Sequence, residues 1–87
     1  MSVDKLLEDR GSKYGNYLRL TIVIEKLWSV LVASLGNTHV EPDQCDALRM
    51  ICVKMARITK SPDYADSWRD VAGYATLVAD RLEGKSR

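Results

Sequence analysis

Cationic and aromatic residues gather at two places where they could do chemistry. Gly11-Ser12-Lys13-Tyr14-Gly15-Asn16 reads as a short glycine-bounded loop that delivers the chain into a helix start, with Arg10 and Lys13 beside it. Backbone amides at a helix start lack an intrahelical acceptor and attract anions. Lys54 and Arg57 stand three apart in a predicted helix, so they project from one face. If that face meets the loop, a phosphate would receive amides, a guanidinium fork and an ammonium together. Tyr14 would stack on a base or donate its hydroxyl. The expected activity is recognition of a phosphate-bearing small molecule, a nucleotide above all, without catalysis. The bland alternative makes Lys13 a solvated charge, the glycines simple turns, and Arg57 the internal partner of an acid such as Asp70.

Four carboxylates invite another reading. Asp43 and Asp46 are three apart and Asp66 and Asp70 four apart. Facing helices would bring both pairs around magnesium and permit phosphoanhydride hydrolysis by an activated water. Acids at the first turn of a helix are also expected without any metal, as caps and dipole partners, and no metal ligand or cofactor is assigned. His39 lies in a polar stretch, and no Ser/His/Asp or Cys/His set accompanies it. Cys45 and Cys52, seven apart in one predicted helix, sit roughly 10 Å apart along its axis, beyond disulfide reach. Two reduced core thiols are the expectation.

These residues need elements to hold them, and punctuation divides the 87 residues into four helical pieces within a single helical domain, 1–87. The first runs from about Val3 to Arg10, capped by Ser2 and stopped at Gly11-Ser12. The second, about Asn16 to Leu35, ends at Gly36-Asn37 and carries Leu20, Ile24, Leu27, Leu31 and Leu35 in one stripe. Val23, Trp28, Val30 and Val32 widen that surface, so burial on more than one side and oligomerisation are expected. The third starts at Glu41-Pro42-Asp43 and runs to about Lys60, with Leu48, Ile51, Cys52, Met55 and Ile58 inward. After Ser61-Pro62-Asp63 the fourth spans about Tyr64 to Glu83, with Tyr64, Trp68, Val71, Ala72, Ala75, Val78, Ala79 and Leu82 as its core face. Asp66, Asp70, Gly73, Tyr74 and Leu77 fall on the far side, a face for another subunit or a ligand. The fold class is all-α, an antiparallel bundle of three long helices plus a short N-terminal one.

Thirteen Lys and Arg against twelve Asp and Glu leave a charge of +1, which argues against general nucleic-acid binding. The acidic residues of the first ten positions and the shortness of the Leu27 to Leu35 apolar run predict neither a secretory leader nor a membrane span. A cytoplasmic location is expected.

Arg10 followed by Tyr14-Gly15, then Lys54-Met-Ala-Arg57-Ile58, then Trp68-Arg-Asp70-Val-Ala-Gly73-Tyr74-Ala75 resembles a small helical family of phage and prophage proteins of uncharacterised function. The likeness covers nearly the whole chain. The same order of motifs is more loosely similar to the nucleotide-modification-associated domain. The resemblance implies a phage-type origin, hence host cytoplasm, and gives special status to Arg10, Tyr14, Gly15, Lys54, Arg57, Asp70, Gly73 and Tyr74. Asp70 and Tyr74 thereby join the expected ligand set. A looser likeness to MazG-type nucleotide pyrophosphohydrolases fails at their first acidic pair, for which the second helix offers Glu25 alone. Beside nucleotide binding by a homo-oligomer stand two alternatives, an interaction module acting on a host or phage protein and a magnesium-dependent pyrophosphohydrolase.

Overall fold

The computed structural model describes residues 2–14 and 16–85, with their side chains except those of residues 9–14. Four helices follow in chain order, α1 (Val3–Tyr14), α2 (Tyr17–Leu35), α3 (Pro42–Lys60) and α4 (Ala65–Leu82). No strand occurs among the described residues. The fold is an all-α antiparallel helical bundle.

Local chemistry fixes most helix ends. Ser2 Oγ accepts from the Lys5 amide at 3.2 Å and Asn16 Oδ1 from the Arg19 amide at 3.2 Å, each filling an amide orphaned by the helix start. Pro42 opens α3, and the Glu41 amide donates to Gln44 Oε1 at 2.8 Å. Gly36 (φ 54°) closes α2. At the end of α4, Gly84 adopts φ 81°, the Gly84 amide donates to Arg81 O and the Lys85 amide to Asp80 O, the paired bonds of a Schellman motif. One expected boundary moves. Gly11 and Ser12 do not stop α1, which continues to Tyr14. A glycine inside a helix costs only about 1 kcal/mol, and α1 rests on both α2 and α3.

α3 is the common support. Leu20 and Ile24 of α2 pack on Ala56, with Val23 and Val53 at the edge of the cluster. Arg49 reinforces that seam, donating to Glu25 at 2.8 Å with its guanidinium 5.5 Å from the centroid of Trp28. α4 meets another side of α3, where Asp43 and Lys54 make ion pairs and Ala47 is buried. At 100° per residue the positions 43, 47 and 54 lie about 130° round the axis from 49, 53 and 56. α2 and α4 are therefore held apart, and no Cα of one comes within 8 Å of the other. The long helices form an open, bent row.

That arrangement corrects three expected faces. α3 is clamped from two sides, so its fully buried residues are Cys52 and Ala56, while Met55 is 39% exposed. α2 is not buried on several sides within the chain; only Leu20 and Ile24 are buried, and Ile22, Val30 and Val32 face outward. α4 turns Ser67, Val71, Tyr74 and Val78 toward α3, leaving Trp68 (55% exposed), Ala72, Ala75, Ala79 and Leu82 (60%) outside. Tyr74 thus belongs to the packed side and not to the far side.

Cys45 and Cys52 are free thiols, as expected, and burial pushes the Cys52 thiol up. Leu20 is 4% exposed at the centre of the α2–α3 seam. Leu20→Ala is expected to destabilise the fold by about 2–5 kcal/mol in equilibrium urea unfolding at fixed protein concentration. Leu18→Ala, at a position 66% exposed on the same helix, is expected to change stability by no more than about 0.5 kcal/mol.

Candidate functional site

Two ion pairs bridge α3 and α4. Arg81 grips Asp43 through Nε at 2.6 Å and a terminal nitrogen at 2.7 Å, a bidentate fork. Lys54 Nζ meets Asp70 at 2.8 Å. Both pairs obey one antiparallel register, because position i of α3 faces the position 124 − i of α4 and the chain reverses at Pro62. The lysine side chain is only 14% exposed, against 46% for the aspartate. A cation so far withdrawn from water requires its partner.

The groove is widest around the Asp43–Arg81 pair. A cleft of about 410 Å³ is lined by Asp46, Ala47, Tyr74, Val78, Arg81 and Lys85 among others. A smaller hollow of about 260 Å³ lies toward Asp70 and Gly73, and Tyr74 forms part of both walls. Lys85 is drawn toward Glu83 at 3.2 Å and toward the nearly buried Asp80 at 3.9 Å. The cleft therefore presents acids, bases and a tyrosine in mixture, with no single sign of charge.

Asp70 and Tyr74 of the expected ligand set lie along this groove, Tyr74 one helical turn beyond Asp70, and Lys54 joins them only through its ion pair with Asp70. Arg57 is half-buried and already engaged by neighbouring groups. Asp70 is taken by Lys54. The side chains of Arg10, Lys13 and Tyr14, and Gly15 altogether, lie outside the described residues. The expected anion-binding loop is nonetheless altered, because residues 11–14 are helical and the Asn16 side chain occupies an amide at the α2 start. The two acidic pairs do not converge. Asp43 and Asp70 are tied to cations that stand eleven residues apart in register, about 16 Å along α3. No group of three or more His, Cys, Asp or Glu comes together among the described residues.

Sequence reasoning missed Arg81 and Lys85. Folding the chain back about Ser61-Pro62-Asp63 places Arg81 opposite Asp43, for which the sequence reading offers only a first-turn acid or a magnesium ligand.

The fold and groove define a small all-α helical-hairpin protein with an added α1–α2 layer. No helix of the described residues is long and apolar enough to cross a membrane. The chain belongs to the family described as a domain of unknown function (DUF6378), which matches residues 2–82. No curated protein and no solved structure matches it.

The Arg81 guanidinium beside Asp43 holds its carboxyl below the ordinary aspartate range. A carboxyl whose folded pKa is depressed binds fewer protons than in the unfolded chain. Its contribution is present above the ordinary value and is lost as pH falls through the folded one. Asp43→Asn is expected to lower the unfolding midpoint at neutral pH, with the gap to wild type closing below about pH 4. A gap that persists unchanged at pH 2 would place the loss in something other than this pair.

Proposed function

We propose that the protein is a helical interaction module that works through association with other protein chains, in the first place copies of itself. The observation that carries this reading is exposed area. The protomer leaves 6459 Å² accessible, where a compact monomer of its 9.8 kDa exposes about 5,200 Å². Its radius of gyration is 14.9 Å, against about 12 Å for a compact chain of this length. The excess of about 1,300 Å² exceeds the roughly 800 Å² that each partner contributes to a standard specific interface. It is also rich in large apolar side chains on α2 and α4, including Ile22, Val30, Trp68 and Leu82. The motif resemblance adds a phage-type origin, with host cytoplasm as the setting and a host or phage protein as a further partner.

Sedimentation equilibrium across micromolar concentrations is expected to return a multiple of 9.8 kDa. A monomer throughout that range would remove the self-association on which the reading rests.

One observation favours a second reading, binding of a phosphate-bearing ligand such as a nucleotide. Lys54 is nearly buried yet ionic, and its partner Asp70 lines an open groove with Tyr74 a turn further along α4. A phosphate entering there would exchange Asp70 for itself at the ammonium. A nucleotide panel is then expected to raise the unfolding midpoint of wild type and not of the Lys54→Ala, Arg57→Ala double variant. Absence of any shift in wild type would dispose of this reading and leave the first intact.

A further inference from the structure

We infer that the outward face of α4 is the interface with a second copy of this chain, and that the two α4 helices pair antiparallel about a two-fold axis near Ala75. This rests on the reading of the protein as a self-associating module and names the surface and its partner.

Trp68, Ala72, Ala75, Ala79 and Leu82 follow one another at steps of four, three, four and three residues. That is the spacing of a helix-packing seam. Each of the first four stands one position beyond a residue turned toward α3, namely Ser67, Val71, Tyr74 and Val78, so the outer seam lies about 100° round the axis from the inner one. α2 does not reach it. All five residues are exposed in the protomer, Trp68 by 55% and Leu82 by 60%.

Size and charge along the seam select the partner. The ends are bulky and the middle is alanine, nearly symmetric about Ala75. An antiparallel copy places Trp68 against Leu82 of the second copy at both ends, and alanine against alanine in the centre, where axes can approach to about 8 Å. Arg69, just inside the Trp68 end, and Glu83, just outside the Leu82 end, lie on the same flank of the seam and come within about 3 Å of register, so opposite charges meet at each rim. Their present contacts are loose and exposed, Arg69 with Asp66 at 3.6 Å and Glu83 with Lys85 at 3.2 Å, so little opposes the exchange. A parallel copy would set Trp68 on Trp68 and bring the two Arg69 side chains to the same end. The face is therefore self-complementary in one orientation, which an isologous dimer requires.

Trp68 is also held ready. Its indole N–H donates to Pro62 O at 2.8 Å, which fixes the ring against the α3–α4 turn while most of its surface remains open. An aromatic side chain already immobilised loses little entropy on association.

The test uses the full chain. Ala75→Cys is expected to form a disulfide-linked dimer under mild oxidation, because residue 75 faces its own copy across the axis, while wild type, with Cys45 and Cys52 alone, does not. Ala75→Glu sets two carboxylates against each other and is expected to raise the dimer dissociation constant at least about 100-fold in sedimentation. Val30→Glu on α2 is expected to leave that constant within about threefold of wild type. A wild-type dimer that Ala75→Glu leaves intact, or that Ala75→Cys fails to cross-link, overturns the antiparallel α4 pairing and keeps the interaction reading. A wild type that is monomeric overturns both. Should Ala75→Glu lose its helical signal, the Ala75→Cys cross-link decides the matter alone.

Discussion

α3 is packed from two directions, and almost everything else in the molecule follows from that constraint. A helix clamped on one side by α2 and on another by α4 keeps those neighbours apart. Small residues make the double contact possible. Ala47, Cys52 and Ala56 are the buried positions of α3, and each lets a neighbouring helix come close without displacing a long side chain. The cost is an open row in place of a closed core, since helices that touch only through a third cannot bury their remaining faces against each other. Chains below about 80 residues commonly gain additional burial from an oligomer, and this chain, only slightly longer, leaves large apolar side chains of α2 and α4 exposed.

The ion pairs serve register more than bulk stability. Arg81 and Asp43 are both well exposed, where an ion pair adds little to stability, while the pair of Lys54 with Asp70 matters chiefly because breaking it would strand a cation largely withdrawn from water. Their joint geometry matters more. Sliding α4 by one turn along α3 would break both at once and leave the nearly buried Lys54 without an anion. Two pairs that obey the same pairing rule therefore specify one antiparallel alignment, and that alignment fixes which side of α4 is left outward.

Much of this was legible in the residues. Gly36, Pro42, Pro62 and Gly84 punctuate the chain for reasons of backbone geometry alone, and Ser2 and Asn16 cap for reasons of hydrogen bonding, so helix number and most boundaries could be read off. α1 escaped because Gly11 suggested a stop that tertiary contact overrode. The faces were harder. Helical periodicity finds an apolar stripe but does not say which neighbour covers it. Trp68, Ala72, Ala75, Ala79 and Leu82 carry the period of a core as faithfully as Ser67, Val71, Tyr74 and Val78 carry that of the observed contact, so the expected core face joins Val71 and Val78 of the inner stripe to all five residues of the outer one. Ser67, 2% exposed, is a small polar residue that no hydrophobic count would place inside. Arg81 was missed because its role depends on a partner thirty-eight residues away, a pairing that only the hairpin register reveals.

Placement of the groove bears on how association and ligand recognition would coexist. Tyr74, Leu77 and Arg81 line one flank of the α3–α4 seam, and on the helical wheel of α4 they lie well over a quarter turn from Ala75 and its neighbours. Pairing through the outer seam would cover the apolar flank and leave the charged one open. A dimer built in this way would carry two equivalent grooves, each on the side of its own α4 turned away from the shared axis. Association would then hold α4 more firmly against α3, because a helix packed on two faces frays less than one packed on a single face. The Lys54–Asp70 and Asp43–Arg81 pairs that border the groove would be steadied by contacts made on the opposite flank of the same helix.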